Sequence, residues 1–196
     1  MKHILCLLVL TGFVLAQDKD QNKKLTVGTK VGQKIPQFQM KVLDTSAKKS
    51  KKVSWDSHKT ANPTVYVMVS QSCPVVKNYR KRLREITKGF EKKKVDFVFV
   101  YPMRKVALEA KVSYHRQEKF GALLCNDKTM SVAKVLKITK TPEVIFTAKT
   151  GEILFHGCID DNPGRAKKVK HTYLKTAITE HLAGKPVTTK KSRLFG

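Results

Sequence analysis

Between Pro63 and Ser70 the chain reads TVYVMV, an unbroken apolar run rich in β-branched residues and free of charge. Such a run has the length of a strand, and it lacks the alternation of a strand with one face in water. It predicts a central strand covered on both sides. That requirement narrows the architecture, because a sheet buried on both faces needs a layer above and a layer below. A second run of the same kind, VDFVFVY at 95–101, follows after one amphipathic stretch. In that stretch Val76, Tyr79, Leu83, Ile86 and Phe90 recur at spacings of three and four, while Lys77, Arg80, Lys81, Arg84 and Lys88 occupy other faces. The spacing predicts a helix, with Pro74 suited to its first turn and Gly89 near its end.

The remaining elements follow by the same reasoning. FQMKVLD reads as a short strand, and TSAKKSKK as an exposed turn before KVSW. RKVALEAKVSYHRQEKF reads as a helix with a weaker stripe, and GALLC as a third buried strand. KTMSVAKVLKI reads as a helix opened by Asn126 or Asp127, with Val132, Ala133 and Leu136 inward. EVIFTA and EILFHG flank Lys149-Thr150-Gly151, the pattern of a hairpin. HTYLKTAITEHLAG makes a last helix, with Tyr173, Leu174, Ala177, Ile178 and Leu182 as its stripe and Gly184 as its cap. Alternating strands and helices predict a parallel sheet with helical crossovers, and the hairpin adds antiparallel strands at one side.

The ends read differently from the middle. MKHILCLLVLTGFVLA, residues 1–16, carries one early Lys2 and an apolar run too short for a good membrane span, the pattern of a secretory signal. Residues 17–35 form a polar, lysine-rich lead and residues 186–196 a polar tail, leaving one domain at 36–185. Export, to a periplasm or beyond the cell, is therefore expected. The chain has 40 basic and 15 acidic residues, a formal charge of +25, and removing residues 1–16 takes away only Lys2. Such a charge favours an anionic partner such as a cell-envelope surface. Nucleic acid is not expected, because the lysines are dispersed and arginines interleaved with aromatic platforms are lacking.

Past the leader three cysteines remain: Cys73, Cys125 and Cys158. An odd number cannot all pair within one chain, so in an oxidising compartment at least one is free, capped or used in exchange. Cys125 ends an apolar strand and reads as core. Cys73 lies where the central strand stops and the amphipathic helix starts, directly before Pro74. Helix amides, the macrodipole and the nearby Lys77 and Arg80 favour a thiolate there, and the carboxyl edge of an open α/β sheet is where such folds place their chemistry. His58, His115, His156, His171 and His181 are scattered without paired-ligand spacing, so neither a metal nor another cofactor is expected.

SQSCPVVKNY, VDFVFVYP, NDKTMSVAKVLKITKTPEVIF, GEILFHGCIDD and HLAGKPV, in this order, resemble the redoxin branch of the thioredoxin fold. The likeness is to exported bacterial redoxin-domain proteins of the alkyl hydroperoxide reductase and thiol-specific antioxidant superfamily, and it runs from about Val31 to Val187. It implies an α/β, thioredoxin-like fold, a mixed central sheet with helices on both faces. It also implies a thiol-dependent oxidoreductase with antioxidant activity, acting on a peroxide or a protein disulfide and recycled by an external thiol reductant.

By the same likeness Cys73 is the nucleophile, and Ser70 supplies a hydroxyl that hydrogen-bonds the thiolate and an incoming peroxide. Thr141-Pro142 forms a cis pair whose backbone edge receives a substrate. Gly157 is the small residue beside the active cysteine, and Asp160-Asp161 an acidic pair. Val76 stands where a dithiol thioredoxin has its second cysteine, which leaves a single active-site sulfur. Val67 and Leu123 replace a buried acid and lysine, and Tyr66 replaces a motif proline. Cys158, after Gly157, is either a resolving thiol or a packed strand-end residue. These departures leave a second function open: a redox-inactive binding module that keeps the fold and holds an anionic envelope partner.

Overall fold

The two apolar runs become adjacent parallel strands, β3 (Thr64–Met68) and β4 (Asp96–Val100), in register from Thr64 opposite Asp96 to Met68 opposite Val100. The computed structural model describes residues 29–47 and 49–195, so the leader and most of the lead lie outside the described residues. The described residues form one seven-stranded sheet. Its other strands are β1 (Gln39–Asp44), β2 (Lys51–Asp56), β5 (Leu123–Cys125), β6 (Glu143–Thr147) and β7 (Ile153–Gly157). In space they run β2-β1-β5-β4-β3-β6-β7.

Only the centre is parallel. β3, β4 and β5 run together, the crossovers from β3 to β4 and from β4 to β5 being α1 (Pro74–Phe90) and α2 (Leu108–Gln117). The β6–β7 hairpin lies antiparallel beyond β3, as expected. The β1–β2 hairpin lies antiparallel beyond β5, so antiparallel strands border the sheet on both sides and not on one. The two short N-terminal strands are joined by a tight connection, which leaves them no room for a parallel crossover.

β3 carries no charged residue because every position in it is buried. Val65 and Val67 face a core shared with Tyr79 and Leu83 of α1 and with Leu174 and Ile178 of α4 (Tyr173–Leu182). Tyr66 and Met68 face the opposite core, with Ile35, Phe38 and the α3 (Ser131–Val135) residue Val132. Asp127 opens that short helix by accepting the amides of Val132 (3.2 Å) and Ala133 (2.8 Å). Among the described residues no helix is long and apolar enough to cross a membrane.

Two segments expected to be loose are packed. In the lead, Gly32 and Ile35 donate backbone hydrogen bonds to the β6–β7 hairpin, and Ile35 is buried. In the tail, Val187 is buried and residues around Lys191 run parallel to β7 at His156. Gly157 makes that approach feasible, since a Cβ there would collide with the Ser192 side chain and amide.

Candidate active site

The turn after β3 carries the chain over the carboxyl edge of the sheet and delivers Cys73 as the residue that caps α1. Its backbone is extended, with φ −73° and ψ 121°, and Pro74 begins the helix. The Cys73 amide bonds to the Ser70 carbonyl (3.1 Å) and its carbonyl accepts the Lys77 amide (3.0 Å), which pins the sulfur to the helix mouth. No side chain caps the helix there and no acidic residue enters its first turn. Cys73 thus stands at the positive dipole end of α1 with no acidic side chain in its first turn, although its sulfur accepts no helix amide. Cys73 is partly exposed, as a reacting group must be.

Across the edge lies the Thr141-Pro142 pair, whose peptide bond is cis. Cys73 Sγ donates to the Thr141 carbonyl at 3.1 Å, so residues 68 apart in sequence meet at one spot. Ser70 lies beside them, but its hydroxyl is bonded to Ser72 Oγ at 3.0 Å, and the thiol proton goes to Thr141 instead. Of the two cations expected near the sulfur, Arg80 is committed: its guanidinium meets Glu118 at 2.8 Å and its Nε donates to the Lys77 carbonyl. That carboxylate offsets the Arg80 charge and leaves Lys77, exposed on the first turn, as the cation contributed by this stretch.

The loop before Pro142 is held by a group that sequence reasoning passed over. Glu143, 1% exposed, accepts the amides of Thr139 (2.9 Å) and Lys140 (3.1 Å) with one oxygen and meets His156 Nε2 at 2.6 Å with the other. Burial alone would raise its carboxyl, but His156 and the two amides outweigh that and hold it below the usual carboxylate range. His156 Nδ1 faces the Thr29 carbonyl at 3.3 Å, so both ring nitrogens face oxygens. A glutamate opening a wholly buried strand was the available signal, since such a group must find partners.

Cys158 follows β7 and is 1% exposed. Its Sγ donates to the Asp160 carbonyl at 2.9 Å and lies 3.2 Å from Ser192 Oγ, beneath the tail. Burial pushes this thiol up, against the opposing bond from Ser192. The arrangement is that of a packed strand-end residue, so a resolving role would require the tail to lift. Asp160 is structural, since it accepts the Tyr79 hydroxyl at 2.9 Å and pairs with Arg82, tying the loop after β7 to α1. Asp161 instead accepts the Lys170 amide at 3.0 Å. Cys125 is buried in the core and pushed up to about 12, chiefly by burial. Cys73, Cys125 and Cys158 are all free, and no cluster of metal-ligating side chains occurs among the described residues.

Comparison with known proteins bears on the family and the fold. The model of the AhpC/TSA family matches residues 31–156. An uncharacterized conserved protein from Geobacillus kaustophilus superposes with a TM-score of 0.72 at 20% identity, over 84% of this chain and 89% of that one. A thiol:disulfide interchange protein from Bacteroides sp. gives 0.58 at 15%, over 79% and 91%. Mycobacterium tuberculosis AhpC gives 0.58 at 11%, over 79% and 94%. These likenesses establish a thioredoxin-like fold. No curated protein matches the sequence.

Proposed function

Because this chain belongs to the AhpC/TSA family, we propose that it is an exported thiol-dependent oxidoreductase in which Cys73 alone is the reacting sulfur. The observation that carries this reading is a partly exposed thiol at an uncapped helix mouth, bonded to the Thr141 carbonyl beside Pro142. As a thiolate, Cys73 attacks a peroxide oxygen: the S–O bond forms, the O–O bond breaks, and the departing oxygen takes a proton from water. A second thiol then condenses with the sulfenic acid, forming a disulfide and water. A further thiol reductant reopens it by exchange. The burial of Cys158 favours an external thiol for the condensation. The same sulfur attacking a protein disulfide is the other form of this activity.

The test is direct. Reduced protein exposed to hydrogen peroxide should give sulfenic acid at Cys73, trapped by a dimedone probe and located by mass spectrometry. Cys73→Ser should abolish the label and all turnover with peroxide or a small disulfide. An unlabelled Cys73 that also fails to exchange with a disulfide defeats the enzyme reading.

The second reading, a binding module for an anionic envelope surface, draws on α1, which exposes Lys77, Arg80, Lys81 and Lys88. It is favoured instead if Cys73→Ser leaves the biological activity intact while Glu at Lys77, Lys81 and Lys88 removes it.

A further inference from the structure

Tyr114 stands on α2 one turn before Glu118, the residue that α1 engages through Arg80. Both helices return from the carboxyl edge of the sheet and run parallel, so the Arg80–Glu118 pair sets their relative height. One turn nearer the edge, Tyr114 on α2 matches the turn of Val76 and Lys77 on α1, which begins at Cys73. Tyr114 and Cys73 pack against the same core. A charge on Cys73 is among those felt by the phenol, together with Glu118 and Arg80.

The Tyr114 hydroxyl is buried and, among the described residues, has no hydrogen-bond partner. Other buried tyrosines on this side of the sheet are satisfied: Tyr79 bonds Asp160 and Tyr101 bonds His115. An orphaned donor of this kind is destabilising, and phenylalanine would fill the same volume and keep the edge contact with Phe120 without the cost. The reduced thiol gives its own proton to Thr141 and does not serve as the acceptor. The acceptor therefore arrives with the chemistry.

We propose that Tyr114 is a catalytic residue whose hydroxyl donates a hydrogen bond to oxygen delivered at Cys73, and that the substrate it serves is a hydroperoxide. This rests on the reading of Cys73 as the nucleophile. During attack the thiolate gives an electron pair to the distal peroxide oxygen, the O–O bond breaks, and the proximal oxygen leaves with the other pair and is protonated by water. Sulfur loses two electrons and the peroxide gains them. Tyr114 keeps its proton throughout. Burial first, and Glu118 next, push its phenol up to about 12, so it donates a hydrogen bond without ionising near neutral pH. A disulfide substrate brings no oxygen to the sulfur and gains nothing from the donor.

The experiment compares wild type with Tyr114→Phe in three reactions of Cys73: sulfenate formation with hydrogen peroxide, alkylation by iodoacetamide and exchange with a small aromatic disulfide. Thermal unfolding is followed alongside. The peroxide rate constant should fall on the order of tenfold or more, with alkylation and exchange changed less than about twofold and no loss of thermal stability. An unchanged peroxide rate, or an equal fall in all three reactions, overturns the proposal while leaving Cys73 as nucleophile. If the wild-type cysteine forms no sulfenate at all, the reading beneath it fails as well, which the wild-type arm reports by itself.

Discussion

His115 is fully buried, yet its ring is completely satisfied. Nε2 lies 2.9 Å from the Ala122 carbonyl, which can only accept, so Nε2 carries the proton and Nδ1 accepts the Tyr101 hydroxyl at 2.9 Å. Burial pushes its pKa down to about 4, against hydrogen bonds to Ala122 and Phe120. The native state therefore holds the ring neutral where the unfolded chain, near 6.5, takes up a proton. Between these values the unfolded state binds more protons, so stability is full above about 6.5 and is lost as pH falls toward about 4. The loss is on the order of 3 kcal/mol. Urea melts at pH 7 and pH 4.5 should show it, and His115→Leu combined with Tyr101→Phe should flatten the dependence. An equal acid loss in that double variant assigns the effect to other groups.

Among the helices, α1 and α2 were both legible as elements, but only the buried face of α1 was, for one reason. The buried face of α1 is Val76, Tyr79, Leu83, Thr87 and Phe90, mostly apolar residues at helical spacing. The buried residues of α2 are Lys111 and His115, polar residue types that add nothing to an apolar stripe. Lys111 is tolerated because its ammonium donates to the Met103 carbonyl (2.8 Å) and to Asn126 Oδ1 (2.5 Å), with the Tyr101 carbonyl at 3.4 Å. It thereby joins the loops after β4 and β5. The stripe on α1 is what fixes the cysteine, since it seats the helix whose first turn begins there. Leu83→Ala, at a site 1% exposed, should cost ~3 kcal/mol in chemical denaturation. A cost below ~1 kcal/mol would mean that α1 is anchored mainly by the Tyr79–Asp160–Arg82 group instead.

Across the molecule as a body, both ends of the described chain close along the β7 edge of the sheet. The lead covers the β6–β7 hairpin, and the tail lies along β7 with Ser192 against Gly157 and Cys158. The second cysteine is thus kept from solvent by a segment that the sequence presents as a polar tail. Gly157→Ala should force residues 190–192 off β7, and Cys158 should then react with a thiol reagent at least about tenfold faster under native conditions. Site-resolved alkylation by mass spectrometry measures this. If Cys158 stays as protected as in the wild type, the tail is not what guards it.

The order of strands and helices, the double burial of the central strand and the seat of Cys73 at a strand-to-helix junction were all written in the amino-acid order. Each of these follows from periodicity and capping within a few residues. The resemblance supplied the family and the cis pair at Thr141-Pro142. Which polar groups meet emerged only on folding: Cys73 with Thr141, Arg80 with Glu118, Tyr79 with Asp160, Glu143 with His156, and Tyr114 with none among the described residues. Those partnerships join residues from separate elements, so they depend on crossover direction and helix height, which no local pattern encodes. The physical reason is that apolar burial is set by average spacing, whereas a hydrogen bond requires two particular atoms within about 3 Å.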